Sequence, residues 1–203
     1  MRSGNGKASV EVLRGGAVES IHLVSVVAVS LTGKVLVWMG VPERRIYWRS
    51  AAKPFQAWAM VDAGAADALG LHDADLAIAC ASHGGEPCHL KAASHLLEQA
   101  GLEPEDLRCG SHPPLYPPAA ADLVRQGIPP GPLHNNCSGN HAGMLALTRH
   151  LGGSVADYLD PGGPAQTAIL AAIARHAGQQ AGSIRQAVDG CSAPTYLLPL
   201  FSL

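Results

Sequence analysis

Aromatic residues are scarce, 4% of the chain, and charged residues make up only 15%. Few aromatics leave little with which to stack exposed bases, and no basic run supplies a phosphate-binding stripe. Nucleic acid is therefore not an expected partner. The formal net charge, −2 with histidine neutral, points to no charged polymer either. Long apolar runs are also missing. The longest, around Val24 to Val29, is far too short to cross a bilayer, so no membrane partner is expected. The opening residues MRSGNGKASVEVLRG hold no apolar core of the kind a signal peptide needs. No Cys-x-x-Cys pair occurs, which excludes a zinc ribbon. The five cysteines, Cys80, Cys88, Cys109, Cys137 and Cys191, form an odd, scattered set. These lacks lead to the expectation of a cytoplasmic protein with reduced thiols.

What is present is a chain of 203 residues, 47% hydrophobic, which suits a single core. Ser9 to Arg14 and the β-branched stretch Glu19 to Ser30 read as strands. Thr32-Gly33 turns the chain back into Lys34 to Met39, and Arg45 to Trp48 reads as a further strand, so the opening is expected to be an antiparallel meander. From Ser50 to Leu69 the period becomes helical, with Pro54 in the first turns. Asp75 to Ala81 fits a buried strand or a buried helix. His89 to Ala100, Ala119 to Gln126, Met144 to Leu151 and Ala165 to Ala177 read as helices, each followed by glycine within two residues. The order predicts a mixed α+β fold in one domain over residues 1–203. The ending, LLPLFSL, is apolar and uncapped, and is expected to be a helix cut short in an incomplete chain.

Four small, polar, glycine-containing stretches lie beside apolar elements: Arg49 to Lys53, Ala81 to Glu86, Asn135 to Gly143, and Asp189 to Pro194. Each alone fits a surface loop. Four with Ser, Lys, His or Cys at their centres suit a shared pocket. Ser50 stands three residues before Lys53 at the start of the helical pattern. That spacing places hydroxyl and amine one turn apart, and an unprotonated lysine there can take the serine proton. An N-cap serine beside an exposed lysine fits the same four residues. Ser82 and His83 sit at the mouth of an apolar run, as pocket residues or as a simple cap. Cys137 and Cys191 lie among polar, glycine-rich neighbours, unlike Cys80, which fits reactive thiols or ligands of a soft metal. His141 also falls in a pocket stretch, whereas His72, His95, His150 and His176 fall on or near helix ends.

Six segments in order carry a resemblance to a known family. They are Glu19-Ser20 with His22, RSAAKPFQ (49–56), ASHGGEPCH (81–89), CGSHP (109–113), HNNCSGNHAGM (134–144) and DGCSAPT (189–195). The chain resembles the L-asparaginase II family, also called class 3 asparaginases. The resemblance implies a fold like that of serine β-lactamases and glutaminases, an antiparallel sheet with packed helices. It implies hydrolysis of the side-chain amide of L-asparagine to L-aspartate and ammonia through an acyl-enzyme. Ser50 takes the nucleophile's place, Lys53 its base, and Ser82 the serine of a second serine–lysine pair whose lysine lies beyond Leu203. Arg49, His83 and Asp189 are implied in substrate binding. The implied zinc site falls on Cys137, Cys191 and, in place of the family lysine, Asn140. An amide offers zinc only a weak carbonyl oxygen, so binding is expected to be weakened. No organic cofactor is implied. Gly163 stands where the family has histidine. These departures support a second expectation, a degenerate relative that binds asparagine without hydrolysing it. A β-lactamase-like acyl enzyme is a third, resting on S-x-x-K alone. The expected partner is the small-molecule substrate, with at most a second copy of the chain in a homodimer.

Overall fold

The computed structural model describes residues 8–203 and shows a mixed α+β protein. Its residues cluster into two compact units. One holds the described residues through Tyr47 together with Leu197–Leu203, and the other holds Trp48–Tyr196.

In the first unit, β1 (Ala8–Arg14) and β2 (Ala17–Val24) form an antiparallel hairpin with Ser9 opposite Leu23. Its turn uses Gly15 and Gly16 at φ 57° and 83°, values open to glycine at little cost. The single strand expected over Glu19 to Ser30 is divided at Ser25. β3 (Val26–Val29) pairs with β4 (Val35–Met39) and not with β1, so two separate hairpins replace the expected meander. Alternation within each half is strand-like, and periodicity alone does not reveal a break between them. β5 (Arg45–Tyr47) pairs antiparallel with residues Leu197–Pro199, Ile46 opposite Leu198. Of the apolar ending expected to be a helix, Leu197–Pro199 are thus strand and Leu200–Ser202 form a short 3₁₀ helix.

The second unit holds the helical core. A 3₁₀ turn, Arg49–Ala52, feeds α1 (Lys53–Asp62), with Pro54 in its first turn where no backbone N–H is needed. The expected longer helix stops at Gly64, φ 76°, and a short α2 (Ala65–Ala68) follows. The ambiguous run is a helix, α3 (Asp73–Ala79), whose first turn is tied by Asp75 Oδ2 accepting from His72 N at 2.8 Å. Next come α4 (Pro87–Gln99), α5 (Pro117–Gln126), α6 (Ser138–His150) and α7 (Pro164–Ala177). The strands β6 (Arg185–Val188) and β7 (Pro194–Pro199) follow, joined by a turn in which Asp189 N donates to Ala193 O at 2.8 Å. No described helix is long and apolar enough to cross a membrane.

α6 is the axis of this unit. It begins at Ser138, well before the expected Met144, and is buried from Ser138 through Thr148 against α1, α3, α4 and α7. A polar, glycine-containing stretch becomes helix here because its small side chains let neighbours approach, and that packing outweighs the weak propensity of Ser, Gly and Asn. A Cβ on Gly139 would lie 2.5 Å from Ile78 Cγ1 and 2.6 Å from Ile78 O. α3 therefore packs directly on the α6 backbone. Gly139→Ala is expected to destabilise the protein by roughly 1–3 kcal/mol through forced separation of α3 and α6. Urea denaturation checks this, and an unchanged midpoint would show that the contact yields freely.

Candidate active site

The site begins with a backbone irregularity. Arg49 has φ 47°, left-handed for a residue with a Cβ, a conformation that costs about 1–2 kcal/mol. Two interactions hold it there. Its N–H donates to Thr195 Oγ1 at 3.2 Å, and its guanidinium meets Asp189 Oδ1 at 3.0 Å. Asp189 is placed by the β6–β7 turn, where Ser192 N donates to its carbonyl at 2.9 Å. The result is an exposed Ser50 at the lip of the 3₁₀ turn.

Lys53, one turn later, points inward and is buried, 4% exposed. Its Nζ donates to Ser82 Oγ at 2.9 Å, Ala81 O at 3.1 Å and Cys137 Sγ at 3.2 Å. An ammonium has three protons, and each finds an acceptor. Ser82 Oγ in turn donates to Ser50 Oγ at 3.2 Å. Among the described residues no hydrogen bond joins Lys53 to Ser50 directly. The spacing of the S-x-x-K pair predicts direct contact. Ser82 stands between them because the interior acceptors draw the amine away from the helix surface.

Cys137 precedes the first turn of α6, its N–H donating to Asn135 Oδ1 at 2.8 Å. The neighbouring Cys191 thiol and then Lys53, against burial, bring Cys137 down to about 6. The neighbouring Cys137, joined by burial, pushes Cys191 far up. A cavity of about 180 Å³ opens here, bounded by Arg49, Ser50, Cys137, Asp189 and Cys191 and, on its remaining wall, by His112, Asn135 and Asn136. His112 Nε2 and Asn136 Oδ1 are 3.1 Å apart. Sequence reasoning gave these three wall residues no role. The CGSHP and HNNC segments were the available signal, but nothing in their spacing says that they meet.

Other candidates lie elsewhere. His83 is buried and does not border this cavity. Its Nε2 pairs with Ser138 Oγ at 2.9 Å, its Nδ1 accepts from Gly85 N at 3.2 Å, and its ring stacks on His89. Burial, with the charges of His89, Lys53 and His112, lowers it to about 4. His141, fully buried one turn after Cys137, pairs through Nδ1 with Tyr158 OH at 2.6 Å and is lowered to about 3 by burial and then by Lys53. Gly163 caps α7 and borders no part of the cavity.

The order and spacing of these segments can be compared with known families. The model of the L-asparaginase II family matches residues 10–203. The chain belongs to the L-asparaginase II family. No curated protein matches it. Membership points to asparagine hydrolysis as the general activity of the family.

The zinc that the family resemblance implies is a matter of donors. Cys137 and Cys191 offer two sulfurs of the kind soft divalent ions prefer. Asn140 is buried, its Nδ2 donates to Ala79 O at 3.1 Å, and it does not border the cavity that the two cysteines line. Among the described residues no group of three His, Cys, Asp or Glu side chains is placed to hold a metal. The donor set present does not fit a tetrahedral zinc site, and no chemical step below passes through one.

The buried histidines set a pH dependence. His83 and His141 stay neutral in the folded protein well below 6.5, whereas in the unfolded chain they take up protons near that value. Between 6.5 and about 4 the unfolded state binds more protons, so stability falls as pH falls, by at most about 1.4 kcal/mol per pH unit for each histidine. Below the folded value the effect of each is complete. His83→Gln is expected to flatten the stability profile between pH 6.5 and 4, measured by urea midpoints at fixed ionic strength. An unaltered slope would mean that His83 does not stay neutral.

Proposed function

We propose that this protein hydrolyses the side-chain amide of L-asparagine through an ester on Ser50, with Ser82 relaying the proton between Ser50 and Lys53. The observation that carries the reading is the hydrogen-bonded chain Lys53 Nζ–Ser82 Oγ–Ser50 Oγ at 2.9 and 3.2 Å. Arg49 and Asp189, side by side at the cavity, offer opposite charges to the two ends of an amino acid: the guanidinium for the α-carboxylate, the carboxylate for the α-ammonium.

As drawn, the chain runs from a charged Lys53 outward. Catalysis needs the reverse direction, which requires Lys53 first to give up a proton. Cys137 Sγ, 3.2 Å away, is the adjacent acceptor. Ser50 O–H then donates to Ser82, Ser82 O–H to the lysine nitrogen, and Ser50 Oγ bonds to the amide carbon. The C–N bond breaks, ammonia leaves with the relayed proton, and an aspartyl ester remains. Water attacks that ester along the same relay, releasing aspartate and restoring Ser50.

Ser50→Ala is expected to abolish ammonia release from asparagine while leaving the fold intact. Ser82→Ala is expected to lower kcat by roughly 10²–10⁴ with little change in KM, since it removes proton transfer and no substrate contact. Coupled detection of ammonia measures both. Full turnover by Ser82→Ala would exclude the relay, and full turnover by Ser50→Ala would exclude the nucleophile.

Asn140, standing where the family has a lysine and outside the cavity lining, favours a second reading, an asparagine-binding relative without turnover. Calorimetric binding of asparagine with no ammonia released would support it.

A further inference from the structure

When a serine attacks an amide, negative charge gathers on the carbonyl oxygen, and an N–H already held in place is the group that meets such charge at least cost. Four side chains on the cavity wall carry N–H groups: Arg49, His112, Asn135 and Asn136. Three of them are engaged. The Arg49 guanidinium lies against Asp189 at 3.0 Å and, on the reading given above, faces the α-carboxylate. Asn135 is used at both ends, its Nδ2 donating to Cys109 O at 2.8 Å and its Oδ1 accepting from Cys137 N at 2.8 Å. His112 holds Pro113 O through Nδ1 at 2.7 Å and meets Asn136 Oδ1 through Nε2 at 3.1 Å. The fourth is free. Asn136 Nδ2 has no hydrogen-bond partner among the described residues, although His112 fixes the other end of the same amide. The Asn136 backbone is tied as well, its carbonyl accepting from His83 N at 3.1 Å.

We propose that Asn136 reads the side-chain amide of the substrate, its Nδ2–H donating to the carboxamide oxygen, and that His112 positions it. The inference rests on the reading that this cavity takes asparagine. In the bound amino acid this hydrogen bond selects a carbonyl oxygen at that place. As Ser50 Oγ bonds to the carboxamide carbon, the π pair of the C=O bond moves onto its oxygen, and the same N–H then meets a full negative charge. The pair returns when the C–N bond breaks and ammonia leaves, so Asn136 gives up no proton in either step. His112 touches no reacting atom. It acts through Asn136, because half a turn of that amide would set Oδ1 against the substrate oxygen, two acceptors in contact. The bond between His112 Nε2 and Asn136 Oδ1 opposes that turn.

The test measures binding first. Calorimetry on Ser50→Ala, where no turnover interferes, compares L-asparagine with L-2-aminobutyrate, which keeps the α-groups and lacks the carboxamide. Adding Asn136→Ala is expected to weaken asparagine about ten-fold and to leave 2-aminobutyrate unchanged. His112→Phe is expected to cause the same selective loss, and His112→Gln, which keeps an N–H for Oδ1, to recover most of it. A merely structural role would not separate the two ligands. With Ser50 in place, Asn136→Ala is expected to lower kcat by about 10²–10³. Equal asparagine affinity with and without Asn136 overturns the proposal, and so does an equal loss for both ligands. The expected contrast in binding, with no ammonia released by the protein that has Ser50, would refute hydrolysis and uphold Asn136 as the reader of the amide.

Discussion

The ammonium of Lys53 sits beneath the surface with one acceptor for each of its protons: the carbonyl of Ala81, the hydroxyl of Ser82 and the sulfur of Cys137. Burying such a charge without partners costs several kcal/mol, so all three must arrive together. They come from the segment after α3 and from the N-terminal end of α6, while Lys53 itself opens α1. One cation thereby fixes the spacing of three elements. The small residues of α6 serve this arrangement, since Gly139 and Gly143 allow the α3 end, and Ala81 with it, to lie close enough to α6 for one amine to reach both.

The parts of this site that follow local rules were readable from the sequence. Ser50 and Lys53 lie on one short turn, and the glycines after α4, α5 and α7 mark where those helices end. What Lys53 touches was not readable. Ser82 is 29 residues away and Cys137 is 84, and no spacing rule connects them. The family resemblance supplied Ser82 as a second serine but assigned it to another lysine. Its place between Ser50 and Lys53 is set by the fold.

The errors in secondary structure have the same origin. HNNCSGNHAG is poor helix by propensity, yet half of it is α6, because close packing on α3 rewards small side chains there. The Asp75 to Ala81 run was ambiguous by period. Its N-terminal tie, His72 N to Asp75 Oδ2, is the local signal that favours helix. Near the end of the chain Leu197–Pro199 are strand because Arg45–Tyr47 supply a partner edge. Tertiary partners decided each case.

The left-handed Arg49 has a consequence for the order in which the molecule assembles. Its N–H is held by Thr195, 146 residues further along, and its side chain by Asp189. Closing so long a loop comes late in folding, after local helices have formed. The bend that presents Ser50 therefore cannot be set before Thr195 has left the ribosome. Until β7 has been made, the serine rests on an unconstrained turn with no reason to face Ser82. Reactivity in this protein is withheld by topology until synthesis has passed Thr195.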